Sequence, residues 1–206
     1  MTTTVTARHR VALAGLVTDG ITSKAIAGAL VSIANSPAAF QRWLRLYATQ
    51  FGAAWSTMPE RPDQTRSRAD GLFYFLDLPN GNYELNISVP GFGKRYGSVV
   101  RKVKVATAAN GSYQLDWANV SIPPTAIEGC VSSKKINVSF ARVQVQGSGE
   151  TAFSDNAGLY SITGVEPGKR TLLVYAQGYK PVTQPITIAK PGDLQTVNFN
   201  LLHSAG

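Results

Sequence analysis

One cysteine among 206 residues leaves no partner for an intramolecular disulfide. Small secreted sandwiches often depend on such a staple, so any core here has to hold by packing alone. Cys130 lies in the run Ile127-Glu128-Gly129-Cys130-Val131 and reads as a small core residue. There are only two histidines, His9 and His203, both near the chain ends. With no His-x-x-x-His, no cysteine pair and no acidic calcium loop, neither a zinc nor an EF-hand site is expected. No Gly-x-Ser-x-Gly elbow or phosphate loop occurs, so no catalytic residue and no cofactor can be assigned. The chain is expected not to be an enzyme. Asp155-Asn156-Ala157-Gly158 could form half a calcium site, but Asp and Asn at a turn usually bond their own backbone.

Charged residues are also scarce, at 16% against a usual ~25%. Thr, Ser, Asn and Gln fill the polar positions, which suits strands with one wet face. No apolar run is long enough to span a bilayer. The opening stretch, Met1 to Arg10, lacks an apolar segment after a basic start, so no secretory signal is expected. The cytoplasm is the expected location, with the chain there as part of a particle. The net charge of +8 has two readings: an acidic partner surface or plain solubility. No motif supports specific nucleic-acid binding.

An internal repeat organises what is present. Without gaps, Gly71 matches Gly158, Gly81 matches Gly168, and Gly91-Phe92 matches Gly178-Tyr179. Apolar residues alternate in step between these points. Period-two alternation broken by Gly and Pro indicates an all-β sandwich. Upstream, Leu13 to Val17 matches Ile127 to Val131, and Ala29 to Ile33 matches Ala141 to Val145. Downstream, Val103-Lys104-Val105 matches Ile186-Thr187-Ile188. Tyr113 to Trp117 and Thr196 to Leu201 are expected as the last strands. The expected plan is an arm (1–10), a first sandwich (11–120) with an insert (36–68), a Pro-rich spacer (121–125), a second sandwich (126–202) and a tail (203–206).

The motifs Gly15-Leu16-Val17, Asp70-Gly71-x-Phe73-x-Phe75, Leu78-x-x-Gly81-x-Tyr83-x-Leu85 and Gly91-Phe92 carry a resemblance. So do Asp155-x-x-Gly158-x-Tyr160-x-Ile162, Val165-x-Pro167-Gly168 and Gly178-Tyr179. Both sets resemble the carboxypeptidase regulatory-like domain. That resemblance implies an all-β fold of two tandem Ig-like, transthyretin-like β-sandwiches, the first with a helical insertion. It says little about activity, because such domains are appended to many unrelated proteins. Similar domains occur as accessory parts of contractile, phage-tail-like injection machines. The expected function is therefore a structural adaptor that contacts protein subunits of a larger assembly.

The insert is the part that does not repeat. From Ile33 to Gly71 is 38 positions, whereas from Val145 to Gly158 is 13. Ser36 suits an N-cap, Pro37 the first helical position, and Gly52 a stop. Phe40, Trp43, Leu44, Tyr47 and Phe51 recur at helical spacing, and Trp55 follows them. Arg61, Arg66 and Arg68 lead back to the sandwich. These aromatic residues are candidates for docking a partner, since interface hot spots favour such types. The competing reading is a helix that covers its own sandwich. A second candidate contact is the basic stretch Lys94, Arg95, Arg101, Lys102 and Lys104, which also reads as charge protecting a strand edge. As an alternative function, Trp43, Trp55, Tyr47 and Tyr96 could stack on sugars in a carbohydrate- or cell-surface-binding module.

Overall fold

In the computed structural model, residues 9–58, 61–109 and 111–204 are described. The first eight residues of the arm and the last two of the tail lie outside them. The fold is all-β with one helical insertion. The chain divides into two compact units. Unit 1 comprises residues 1–91 and 98–122, and unit 2 comprises 92–97 and 123–206.

Unit 1 contains β1 (Val11–Asp19), β2 (Leu30–Asn35), helix α1 (Ala38–Phe51), β3 (Gln64–Arg66), β4 (Leu72–Leu76), β5 (Gly81–Ser88), β6 (Val99–Thr107), β7 (Tyr113–Gln114) and β8 (Val120–Ile122). One sheet runs β4-β1-β8, with β8 parallel to β1; the other runs β3-β2-β5-β6-β7. Alternation sends Leu13, Val17, Val31, Phe73, Phe75, Leu85, Ile87, Val103 and Val105 into the core. Full burial of each such side chain stabilises by about 1.5–3 kcal/mol.

Unit 2 contains β9 (Ala126–Ser133), β10 (Ile136–Asn137), β11 (Arg142–Val145), β12 (Thr151–Phe153), β13 (Leu159–Thr163), β14 (Gly168–Tyr175), β15 (Val182–Ile188), β16 (Leu194–Thr196) and β17 (Phe199–Asn200). Here β9 pairs with β13, β10 and, in parallel, with β16 and β17; the second sheet runs β12-β11-β14-β15. The core centres on Ile127, Val143, Tyr160, Leu172 and Leu201.

The pairing scheme recurs between the units, and so do its fastenings. The Asn119 side-chain oxygen accepts the Leu16 N–H at 3.0 Å, as Asn198 accepts the Cys130 N–H at 2.9 Å. Ser67 Oγ accepts from Ala29 N and donates to Ile26 O; Ser154 Oγ accepts from Ala141 N and donates to Val138 O. Both serines are buried, and each joins two backbone groups that would otherwise lack partners. Glycine is required where β1 and β9 meet their parallel neighbours. An added Cβ would fall 2.4 Å from Ala118 O at Gly15, and 1.8 Å from Val197 O at Gly129.

Four sequence expectations shift. The strand that closes unit 1 beside β1 is Val120–Ile122; Tyr113–Gln114 pairs with β6 instead, through Ala106 and Thr107. Consequently Ser121 and Ile122 are strand residues, although the Pro-Pro pair suggested a spacer there. The segment Phe92–Gly97 groups with unit 2, because Gly97 N donates to Pro123 O and Thr125 N to Arg95 O. Cys130 is half-buried rather than in the core, its Sγ directed at Ala157 O.

Candidate functional site

Helix α1 starts at Ala38, one position later than its capping residues suggested. Pro37 occupies the cap position without a side-chain cap bond. Asn35 Oδ1 takes the Ser36 N–H, and Gln41 Nε2 donates to Ser36 O, so Ser36 is held outside the helix. Gly52, at φ 53°, ends the helix as expected, and a 3-10 turn, Gly52–Thr57, carries Trp55.

The root of the helix is anchored on β5. Pro37 sits over Gly81, where a Cβ would meet Pro37 Cγ at 2.4 Å. Phe40 is 4% exposed and meets the Tyr83 ring edge-on at 6.0 Å. Burial pushes the Tyr83 phenol above its ordinary range, with the neighbouring Tyr113 adding to the effect. It stays neutral and donates to Pro79 O at 2.8 Å.

Beyond Phe40 the stripe leaves the core. Trp43 stacks on Tyr47 at 5.2 Å, Tyr47 meets Phe51 at 4.9 Å, and Trp55 stands edge-on to Tyr47 at 6.1 Å. Trp43 is 45% and Phe51 38% exposed, while Leu44, Tyr47 and Trp55 are half-buried. The Arg61 guanidinium covers the Trp55 ring at 4.5 Å and pairs with Asp63.

An open groove of about 1010 Å³ runs between this helix and strands β3 and β4. Phe40, Trp43 and Tyr47 form one wall; Gln64, Thr65 and Arg66 of β3, with Tyr74, Phe75 and Leu76 of β4, form the rest. Arg68 stacks over Tyr74 at 4.9 Å and donates to its hydroxyl at 2.7 Å. At one end Asp77 accepts the Arg10 backbone N–H and pairs with His9. The Arg10 N–H, then the His9 side chain, hold the Asp77 carboxyl below the usual carboxylate range.

Of the docking candidates, the structure thus brings Trp43, Tyr47, Phe51 and Trp55 into one partly exposed cluster, leaves Leu44 half-buried and assigns Phe40 to the helix root. The basic candidates fall in both units. Lys94 and Arg95 belong to unit 2, where Arg95 faces Glu150 and Glu166 at 3.5 and 3.7 Å. Arg101, Lys102 and Lys104 lie on β6 of unit 1 opposite Leu85, Glu84 and Asn82. Strand alternation turns Lys102 and Lys104 to a different face from Arg101. Asp155 Oδ1 accepts the Ala157 and Leu159 N–H groups, an Asx turn. No group of three His, Cys, Asp or Glu able to hold a metal occurs among the described residues. No helix among them is long and apolar enough to cross a membrane.

Sequence reasoning missed Tyr74 as a groove residue and the two serine clamps. The clamps did leave a trace, since Ser67 and Ser154 each stand four positions before a matched glycine.

The strand pairing of unit 2, from β9 through β17, coincides with a single family model. Residues 126–202 match the carboxypeptidase regulatory-like domain. Among solved structures, the chain is similar to the shaft pilin SpaA from Lactobacillus rhamnosus GG, at 12% identity and a TM-score of 0.45, covering 98% of this chain and 100% of that one. It is also similar to the Bacillus anthracis TIE protein, at 15% identity and a TM-score of 0.38, covering 92% of this chain and 33% of that one. A chain of a type II cohesin–X-dockerin complex from Acetivibrio cellulolyticus has 17% identity and a TM-score of 0.30, covering 36% and 52%. The chain therefore spans about a third of the TIE protein and half of the cohesin–X-dockerin chain. No curated protein matches it.

Proposed function

We propose that the chain is a non-enzymatic protein-interaction module whose partner seats in the groove beside α1. One observation carries this reading: Pro37 and Phe40 are enough to root the helix, yet Trp43, Tyr47, Phe51 and Trp55 extend past the core into an exposed cluster. The alternative reading is a carbohydrate- or cell-surface-binding module, in which a ring such as Trp43, 45% exposed, would stack on a sugar.

Two finer readings belong to the same proposal. Unit 1 is a second copy of the domain found at 126–202, a reading supported by the recurring strand order and by the Asn and Ser clamps. The chain acts in the cytoplasm as an adaptor in a large particle, of which a contractile, phage-tail-like injection system is our specific candidate; this rests on family analogy.

Purification of the tagged chain from its host, wild type beside W43A/Y47A, tests the reading. Stoichiometric subunits should be retained by the wild type and lost from the variant, which stays folded with a melting midpoint only slightly lowered. Each central anchor lost should cost about 2 kcal/mol, or roughly thirtyfold in affinity. Equal retention by both proteins would exclude the groove. Sheath, tube or baseplate subunits among the retained proteins would support the specific candidate. A different assembly would remove that candidate and leave the adaptor.

A further inference from the structure

The groove is bordered by an open strand edge. Among the described residues β4 is the outer strand of its sheet and pairs only with β1. Gly71 C=O accepts from Val17 N, and Asp77 N–H donates to Arg10 O, so odd-numbered residues of β4 turn their backbone groups towards β1. Residues 72, 74 and 76 face the other way. Leu72 shows this directly, since its carbonyl accepts from Arg68 N and its N–H donates to Asp70 Oδ1. The backbone groups of Tyr74 and Leu76 have no hydrogen-bond partner among the described residues, and both residues line the groove.

Its charge is one-sided as well. Arg66 donates to the Gly28 carbonyl and Arg68 to a tyrosine hydroxyl. Neither has a carboxylate within ion-pair distance among the described residues, and Asp77 is already taken by His9 and Arg10. Arg61 differs, being neutralised by Asp63.

We infer that the groove receives an extended, acidic peptide segment of a partner protein, which adds as a strand to the free edge of β4. Alternate backbone groups of that segment bond Tyr74 and Leu76. Its apolar side chains pack on the edges of Trp43 and Tyr47, and its carboxylates meet Arg66 and Arg68. Main-chain bonds then supply affinity and the two arginines supply selection. The helix contributes the wall, which explains why an insert rather than the bare sandwich carries the site. This inference rests on the groove being the partner site.

A displayed library of random octapeptides, panned against the full chain, is the probe. Enriched sequences should alternate apolar residues with Asp or Glu. A synthetic peptide from that pool should lose about tenfold in affinity when the amides facing β4 are N-methylated. It should lose at least about tenfold against R66E/R68E, and its binding should weaken in high salt. No enrichment, enrichment of basic or helical sequences, or indifference to N-methylation would overturn strand addition. If host subunits still distinguish wild type from W43A/Y47A in that case, the groove reading stands and only the inference falls. Loss of both results removes the groove itself.

Discussion

The two units share the pairing of their central strands and differ most in one connection. Between β11 and β12 the chain turns within a few residues, and between β2 and β3 it makes a 14-residue helix and a 3-10 turn. The surrounding positions have adapted to that difference. Gly81 has Pro37 against it, whereas a Cβ at its counterpart Gly168 would meet nothing within 4 Å. Tyr83 bonds the carbonyl of Pro79, and its counterpart Arg170 bonds that of Glu166, so both residues brace the same turn. Only the aromatic one offers a ring on which Phe40 can pack. Unit 2 closes without such a helix, and in unit 1 Pro37 and Phe40 fasten the helix to β5.

The largest expected effect tests the shared part. Gly129→Ala would force a Cβ against Val197 O, whose position is fixed by bonds from Tyr160 Oη and from Val197 N to Glu128 O. It should cost about 4 kcal/mol or more, a magnitude reserved for such backbone conflicts. Gly15→Ala meets a looser contact and should cost about 3 kcal/mol. Equilibrium denaturation of both variants reads the difference, and a neutral Gly129→Ala would mean that the segment at Val197, between β16 and β17, does not lie against β9 as described.

The next effect separates the units. Phe40→Ala should destabilise by about 3 kcal/mol, because it empties a buried aromatic site. Trp43→Ala should cost under about 1 kcal/mol, as that ring is nearly half exposed. Similar losses for both would make the whole helix a cover of its own sandwich.

A smaller effect should be equal in the two units. Ser67→Ala and Ser154→Ala each strand a buried donor and a buried acceptor, at about 2 kcal/mol apiece. Unequal losses would show that the clamps are not equivalent.

The smallest effect concerns acid. Asp77 is held below the ordinary carboxylate range in the folded chain, so its contribution is present above the unfolded value near ~4 and is lost as pH falls through the folded one. The group is about half exposed, so solvent screening keeps its effect on stability small. Asp77→Asn should lower the melting midpoint slightly at pH 7, and the variant and wild type should converge as the pH falls well below ~4.

Much of this was legible before any coordinates. The matched glycines, the alternating apolar positions and the excess length between Ile33 and Gly71 announced the sandwiches and the insert. Misplacing the closing strand of unit 1 had a specific cause. Tyr113 to Trp117 alternates as well as Val120–Ile122 does, and alternation cannot tell which neighbour a strand pairs with. In the basic stretch, contiguity in sequence hid the break at Gly97, where the chain passes from one unit to the other.

Local pattern by itself determined the all-β class, the turn glycines, the helix and its aromatic stripe, because backbone conformation and periodicity are properties of near neighbours. Only tertiary structure decided that Phe40 is an anchor while Trp43 is exposed, that Arg66 and Arg68 have no carboxylate partner among the described residues, and that β4 borders the groove. Those outcomes depend on which elements meet, and residues as far apart as Trp43 and Tyr74 come to line one groove only when the sheets close.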